Sequence, residues 1–363
     1  MPTVIFYCSI LLFSTLFIYL REKGKGKLEY YFFTSLAFLL VFIPSAIRYD
    51  IGTDYLSYEN IYHKLEYYNE IEPAFYFINT FLKSINASAQ WMFATFAFIF
   101  TYVFFRAYPR KNAWLFHFVF ISILWFFSFN GIRQATALAF SALALLFYFR
   151  GFYLKFFLLI LVASLFHLSA IFIGIVGLIA SLPLSSFLKA KIMPNFFIIG
   201  LLTTFFLSTF VIAYIEKFLA LLSMEKYASY FQNSNHFIET DFGSGLGILA
   251  KVLFVVYFIY SSNVVLSKNK NYWIVVILSF LYGVGIILAG KIVIFSRMGD
   301  TFSIALIFSV YLLYKFDFKN IITKSVVLLF LGFLFISYIK LGFGVETPYG
   351  DPKRNPYVSI FSK

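Results

Sequence analysis

Three arginines lie where apolar segments of this chain reach a predicted membrane surface: Arg48, Arg133 and Arg297. A cation at that boundary is costly, and basic residues normally collect on the cytoplasmic side of membrane proteins. An arginine kept on the opposite side therefore indicates a task for its charge. Guanidinium groups bind carboxylates and phosphates through paired hydrogen bonds. The three arginines predict an anion site on the outward face.

The first of these arginines opens the polar stretch RYDIGTDYLSY, residues 48–58. Gly52 permits a tight turn, and the side chain of Thr53 or Asp54 could cap a helix that follows. Arg48 and Asp54 together favour a binding role, in which they position a ligand on the outer surface.

Tyrosines continue this stretch at helical spacing, because Tyr55, Tyr58 and Tyr62 share one face of the predicted helix. Such rings can stack on sugars and hydrogen-bond their hydroxyls. The alternative is an aromatic belt at the membrane surface, which needs no ligand. Glu72, just before Pro73, is a further outward carboxylate, and its alternative role is a charge at the start of a helix.

Arg133 stands in the sequence NGIRQ, residues 130–134, where an apolar run begins. A cation in the first turn of a helix opposes the helix dipole, which favours anions there. A bound phosphate would remove the conflict, because the arginine and the free backbone N–H groups would share it. Asn130 and Gln134 add donors for such a ligand. The alternative is an arginine that reaches the lipid headgroups.

His167 lies about 12 residues into the apolar run 155–181, which places it roughly 18 Å from the inner membrane surface. A histidine at that depth is costly unless it has a partner or a task. A neutral imidazole can take a proton from a sugar hydroxyl, so His167 is a candidate general base. The alternative is a histidine that bonds a neighbouring carbonyl at a helix break.

Arg297, in the sequence SRMGD of residues 296–300, repeats the situation of Arg133 at the start of a later run. Two arginines on separate helices could bind the two phosphates of a diphosphate in place of a metal ion. The alternative for Arg297 is an ion pair with Asp300.

The composition is that of a membrane protein with many helices. Of the 363 residues 61% are apolar and 12% are charged, about half the charge of a soluble domain. The positive-inside rule accounts for much of the net charge of +13, so nucleic-acid binding is not indicated. One cysteine, Cys8, allows neither an internal disulfide nor a thiolate site. No metal or cofactor is predicted, because the other histidines lack partners at ligand spacing: His63, His117 and His236.

The apolar runs predict an all-α polytopic fold of about 10 to 12 transmembrane helices, in a single domain of residues 1–363. The runs are 3–20, 30–47, 91–105, 113–129, 132–149, 155–181, 196–215, 246–265, 273–290, 301–314 and 325–338. Short loops that carry 16 of the 29 lysines and arginines are placed inside. The longer stretches 48–72 and 216–245 and the tail 339–363 then lie outside, where 216–245 could cover a cavity.

Two segments do not fit a simple series of crossings. Segment 73–90 is amphipathic, and it either lies along the membrane surface or extends the helix after it. The run 155–181 must both begin and end inside, so it forms two short crossings or a re-entrant hairpin broken near His167. Broken helices at membrane depth are tolerated where they line a polar cavity.

Together these motifs resemble the EpsG-like family of Wzy-type polysaccharide polymerases. The resemblance rests on residues 48–58, Glu72, GIRQ at 131–134, FHLS at 166–169 and Arg297, and it extends over most of the chain as an order of motifs. It implies a metal-independent glycosyltransferase of the bacterial inner membrane. Such an enzyme joins oligosaccharide repeat units carried on undecaprenyl diphosphate at the outer face, for O-antigen of lipopolysaccharide, capsule or exopolysaccharide.

The resemblance also implies roles for residues and partners. By analogy with related O-antigen ligases, Arg133 and Arg297 would hold the leaving diphosphate and His167 would activate the acceptor hydroxyl. Arg48 and Asp54 would position a donor or acceptor, with Tyr55, Tyr58, Glu72 and Gln134 as further candidate contacts. The expected partners are the lipid-linked donor and acceptor, membrane lipid and a chain-length regulator. No cofactor is implied.

Two other functions stay open. A secondary transporter or lipid-linked oligosaccharide flippase could line its path with the same charged residues. Against it, no inverted repeat is visible and the charged motifs gather on one face. A membrane acyltransferase for sugars could also use a histidine base, but the paired His/Asp arrangement of that chemistry is missing.

Overall fold

The computed structural model describes residues 2–67, 71–183, 192–210, 214, 245–292, 295–344 and 351–362. Within these residues the regular secondary structure is helical, and Arg48 and Ser359 form an isolated antiparallel bridge. The chain is therefore an all-α, multi-pass membrane protein, as predicted. The predicted outer loop 216–245 lies outside the described residues.

The chain divides into two compact units, residues 1–175 with 331–363 and residues 176–330. The prediction of a single domain stays a prediction. The helices of the first unit are α1 (Pro2–Lys23), α2 (Lys27–Ile47), α3 (Tyr55–His63), α4 (Pro73–Ser84), α5 (Ala89–Arg106), α6 (Ala113–Phe120), α7 (Phe127–Asn130), α8 (Ile132–Phe149) and α9 (Tyr153–Phe166). The remaining helices are α10 (Ala170–Ser181), α11 (Met193–Phe206), α12 (Leu246–Tyr260), α13 (Ser262–Leu266), α14 (Trp273–Ala289), α15 (Ser296–Phe302), α16 (Ile304–Asp317) and α17 (Ile321–Gly342).

Five of the described helical segments are long and apolar enough to cross a membrane: α1, α2, α8, Lys270–Ala289 and α17. A sixth is added if α15 and α16, which are bent by 42°, form one span. A straight helix needs about 20 residues to cross a bilayer core of ~30 Å. Several other predicted runs are shorter apolar helices, among them α9 to α12. Among the described helices, those long enough to cross a membrane are thus fewer than the 10 to 12 spans predicted from the apolar runs.

The run that contains His167 is broken at the predicted place. Helix α9 ends at Phe166 and α10 begins at Ala170, while His167 between them is extended, with φ −158° and ψ 123°. The His167 N–H still donates to the carbonyl of Ala163 at 3.0 Å, and the His167 carbonyl accepts from Ala170 N–H at 3.1 Å. The backbone N–H and carbonyl of His167 therefore both have hydrogen-bond partners within the chain.

The amphipathic segment 73–90 is a separate helix, α4, rather than an extension of α5. Pro73 occupies its first turn, where the missing N–H costs nothing. Phe75 is buried on one face, while Phe77 and Phe81 are exposed on the other. Both faces of α4 therefore carry phenylalanines, and its place along the membrane surface stays a prediction.

One apolar cluster joins the short helices after α2 to the long helices around them. It contains aromatic residues of α3, α4, α5 and α9, and small or branched residues of α8 and α10. Its main members are Tyr55, Tyr58, Tyr62, Phe75, Phe93, Phe96, Ile132, Phe166 and Ala170. This cluster fixes the places of the residues described next.

Candidate functional site

Arg48 follows the last residue of α2 and is buried, with 2% of its surface exposed. Its Nη2 donates to the carbonyl of Phe129 at 3.0 Å, and its guanidinium lies 4.9 Å from the ring centre of Phe93 and 4.8 Å from that of Phe129. In the described part of the chain no carboxylate forms an ion pair with Arg48, and its Nε has no hydrogen-bond partner. Burial lowers the pKa of Arg48 to about 10, so the group stays charged at neutral pH. Arg48 is a buried cation held by a carbonyl and ring faces, with one donor left over.

A small cavity lies beside this guanidinium. Three phenylalanines of α5 line it, and so do the hydroxyl-bearing residues Ser45 and Ser128. An unused N–H of a buried cation is costly unless a polar group or a water reaches it. The cavity is the place in this unit where such a group would lie next to Arg48.

The loop after Arg48 has the predicted tight turn at Gly52, whose φ is +111°. A Cβ at this position would lie 2.7 Å from the carbonyl oxygen of Phe129 and 2.8 Å from Oδ1 of Asn130, so only glycine fits. The next residue, Thr53, donates its N–H to Asn130 Oδ1 at 3.0 Å. The loop is therefore fastened to the turn between α7 and α8, where the NGIRQ sequence stands.

Asp54 occupies the N-cap position of α3, but its side chain makes no capping hydrogen bond. The expectation of a side-chain cap at this helix is wrong. The physical reason lies in the backbone, because Asp54 has φ −97° and ψ 5° rather than the extended conformation that points a capping oxygen at the first turn.

Gln90 is a site residue that the sequence did not reveal. Its Nε2 donates to the carbonyls of Ala46 at 2.5 Å and Arg48 at 3.3 Å, and its Oε1 accepts from the Tyr55 hydroxyl at 3.2 Å. One amide in the first turn of α5 thus clamps the end of α2 and the start of α3. In the sequence, the only indication of this role was a polar, uncharged side chain just before the apolar run 91–105.

The three tyrosines lie on one face of α3 as predicted, and all three are buried. Tyr55 stacks on Phe93 with ring centres 4.3 Å apart, and the Tyr62 hydroxyl donates to the carbonyl of Ala87 at 2.6 Å. Burial raises the pKa of Tyr55 to about 12. These rings hold α3 against α5 and are not an exposed aromatic belt.

Arg133 is the second residue of α8, so it stands in a helix's first turn as expected. Its Nη1 donates to Oε2 of Glu72, and its guanidinium lies 5.7 Å from the ring centre of Tyr58. The side chains of Arg133 and Glu72 are 26% and 18% exposed, which leaves the pair partly shielded from solvent. Nε of Arg133 is buried and has no hydrogen-bond partner. The dipole of α8 favours negative charge at its first turn, and Glu72 supplies that charge beside Arg133.

Gln134, the next residue of α8, is buried. The amide oxygen of Asn130 is used by the Thr53 N–H, so this residue serves the loop. Asn130 is thus an acceptor in this contact, and the expectation that Asn130 and Gln134 donate to a ligand beside Arg133 stays a prediction.

His167 has its Nδ1 2.7 Å from the hydroxyl oxygen of Ser169. Its neighbours Phe166 and Ala170 belong to the apolar cluster that also contains Tyr58. The break between α9 and α10 is thus packed on the same cluster as the residues around Arg133. A serine hydroxyl, in addition to any backbone contact, fixes the orientation of the imidazole.

Arg297 belongs to the second unit. It is the exposed second residue of α15, and Asp300 in the next turn interacts electrostatically with both Arg297 and Lys251 of α12. Helix α15 lies close on α14, where a Cβ on Gly285 would be 2.8 Å from the backbone nitrogen of Gly299. An interaction with Asp300 was the expected alternative for Arg297. Lys251 was missed, although a lysine early in an apolar run was a visible signal.

The first unit therefore brings together Arg48, Glu72 and Arg133 with the tyrosine face of α3, and it packs the break at His167 on the same cluster. Arg297 is described within the second unit. That Arg297 and Arg133 together bind one diphosphate stays a prediction.

Comparison with known proteins gives one finding. A protein-family model described as the EpsG family matches residues 30–350, a range that contains every candidate site residue named above. No curated protein and no solved structure matches the chain.

Proposed function

Because the chain belongs to the EpsG family of Wzy-type polysaccharide polymerases, we propose that it joins oligosaccharide repeat units carried on undecaprenyl diphosphate. The reaction takes place at the outer face of the bacterial inner membrane. The observation that carries this proposal is the position of Arg48 and Arg133 beside Tyr55 and Tyr58 of α3, with Arg133 in the first turn of α8. Each has a buried Nε without a partner, a feature shared by Arg21 and Arg354. A phosphate group is a ligand for which guanidinium donors are suited.

The proposed chemistry is a glycosyl transfer without a nucleotide sugar. The bond between the anomeric carbon of the donor and its diphosphate breaks, and a bond to a hydroxyl oxygen of the acceptor forms. The hydroxyl proton goes to His167, and the diphosphate leaves on its polyprenol. A diphosphate is a weak base, so it needs charge stabilisation rather than protonation as it departs.

Arg133 would supply that stabilisation by exchanging one anion for another. In the structure its guanidinium holds Glu72, while Tyr58 and the ring of Phe75 keep it in place. An arriving phosphate would take the place of the Glu72 carboxylate and also accept from the unused Nε. Arg297 would bind the second phosphate, as expected from the sequence, and Arg48 with Asp54 would position the sugar-bearing loop.

His167 would act as general base from the break between α9 and α10. The Ser169 hydroxyl at Nδ1 orients the ring, and the packing of Phe166 holds the break against the cluster. General base catalysis of this kind contributes about 10²–10⁴-fold in rate.

The test is the surface glycan of a strain that lacks this gene, displayed on a gel and complemented with single variants. We expect the deletion to reduce a polymer ladder to single repeat units, and Arg133→Ala and His167→Ala to fail to restore it. The matched controls are Arg150→Ala at the other end of α8 and His63→Ala on the exposed end of α3, which should restore the ladder.

Two outcomes would contradict the proposal. Loss of all surface units, with lipid-linked repeats trapped on the inner face, would make the protein a flippase. A full ladder from His167→Ala would remove the general base.

A further inference from the structure

The C-terminal segment, residues 351–362, crosses the loop that carries Arg48, and we call it the strap. Arg48 and Ser359 form an antiparallel bridge. The Tyr49 N–H donates to the carbonyl of Val358 at 2.9 Å, and a matching backbone bond lies on the other side of the pair. The first residue of the candidate site is thus paired with the end of the chain.

Two further contacts hold the turn of the same loop. The Gly52 N–H donates to the carbonyl of Pro352 at 2.8 Å. Nζ of Lys353 lies 2.6 Å from Oδ2 of Asp50, in an ion pair whose side chains are 48% and 35% exposed. An exposed pair of this kind contributes about 0–1 kcal/mol, so the backbone bonds are the stronger fastening.

The strap itself is anchored in the helices by a buried arginine. Arg354 is 4% exposed, and its guanidinium lies 4.9 Å from the ring centre of Phe126. The Tyr7 hydroxyl donates to the Arg354 carbonyl at 2.8 Å. Burial lowers the pKa of Arg354 to about 10, so it remains a cation among these groups.

A tyrosine provides the second anchor. The Tyr357 hydroxyl donates to the carbonyl of Pro44 at 2.9 Å, and its backbone N–H donates to Oγ1 of Thr3 at 3.2 Å. Its ring packs on Phe6 with centres 4.8 Å apart. With both anchors the strap is fixed to α1 and α2, and not only to the loop.

The loop needs such support because its own backbone is unfavourable. Asp50 has φ +49° and Gly52 has φ +111°, and a non-glycine residue in the left-handed region costs roughly 1 kcal/mol or more. From the helix side the loop is held by Arg48 on Phe129, by the Thr53 N–H on Asn130 and by Gln90 on the Arg48 carbonyl. The strap covers the opposite side.

We propose that the strap is a positioning element of the candidate site, which holds the loop 48–54 so that Arg48 stays on Phe129. It is a fixed part of the site and does not open and close during turnover. The activity readout below rests on the proposed polymerase function, whereas the cross-linking readout does not.

The test uses the whole chain with Cys8→Ser, so that no other thiol is present. Asp50→Cys and Lys353→Cys are joined by a short thiol-reactive cross-linker in isolated membranes. We expect efficient cross-linking and polymerase activity within about twofold of the same variant before the reagent is added. A second variant ends at residue 350, and we expect it to lose activity on the order of 100-fold, because small displacements of positioned groups have effects of that size.

Four outcomes of these experiments would each contradict a different statement. Absence of cross-linking overturns the docking of the strap whatever the enzyme does. Loss of activity on cross-linking, with recovery on reversal, makes the strap a moving lid and overturns the fixed role. Full activity in the shortened variant removes the positioning role. If the parent with Cys8→Ser makes no polymer but the cross-link forms, the proposed function fails while the docking stands.

Discussion

At the residue scale, the pairing of Arg133 with Glu72 is the feature that most changes the interpretation of the sequence. An arginine in a helix's first turn predicted an external anion, and the structure supplies an internal one from the residue before α4. A carboxylate that satisfies the guanidinium before the substrate arrives lowers the desolvation cost of keeping the arginine ready. On the proposed function, Glu72 would compete with the phosphate of the donor.

Glu72→Gln should therefore lower the apparent KM for the lipid-linked donor, by about tenfold if the competing pair is worth ~1.4 kcal/mol. Turnover at saturation should be kept. The matched control is Glu66→Gln, whose carboxylate pairs with Lys83 on the surface and should leave KM unchanged. Initial rates against donor concentration in detergent would measure both. A large fall in kcat for Glu72→Gln would mean instead that the carboxylate takes part in the chemistry.

At the element scale, the loop 48–54 and the turn between α7 and α8 form one structure. Gly52 lies against Phe129 and Asn130, and those contacts leave no space for a side chain. The helix that follows is held by Gln90 and by stacking of Tyr55 on Phe93. A disturbance at Gly52 is thus transmitted to the ends of α2 and α3.

Gly52→Ala should destabilise the protein by roughly 1–3 kcal/mol, because the new Cβ meets a backbone carbonyl and φ is positive. Glycan polymerisation should fall with it. Gly332→Ala in α17 is the control, since nothing lies within 4 Å of its Cβ position and alanine favours a helix. Thermal unfolding in detergent would measure both variants. Equal melting temperatures would show that the loop can move away without cost.

Some of these elements were predictable because their signals are local. The turn at Gly52 and the place of Arg133 in a first turn each follow from a few adjacent residues, whereas the break at His167 follows from the lysines and arginines that place both ends of its run inside. Glu72 and Arg133 are 61 positions apart, and nothing near either one specifies the other. Gln90 and the strap were missed for the same reason, since a neutral amide and a polar tail acquire meaning only through tertiary contacts.

At the scale of the first unit, contacts join distant segments that the charge pattern assigns to the same side. Segments placed outside, the loop after α2 and the strap, contact each other. Segments placed inside do so as well: Arg21 lies over the rings of Tyr30 and Tyr108, and Glu22 accepts from the Ala113 N–H. The two groups of contacts occupy opposite ends of α1 and α2.

This arrangement predicts which cysteines a membrane-impermeant maleimide can reach in spheroplasts. In the Cys8→Ser background, Phe361→Cys in the strap should react without permeabilisation, because that side chain is 82% exposed. Lys111→Cys, in the exposed loop before α6, should react only after the membrane is opened. The reverse pattern would mean that the orientation is opposite to the one assigned from charge, and that the site faces the cytoplasm.

The bond between Tyr7 and Arg354 joins residues 347 positions apart, and this has a consequence for how the protein is made. At about 5–20 residues per second, translation separates the synthesis of these two residues by roughly 20 to 70 s. The strap therefore cannot hold α1 and the loop 48–54 until residues 351–362 have been made, and the first two helices are synthesised without it.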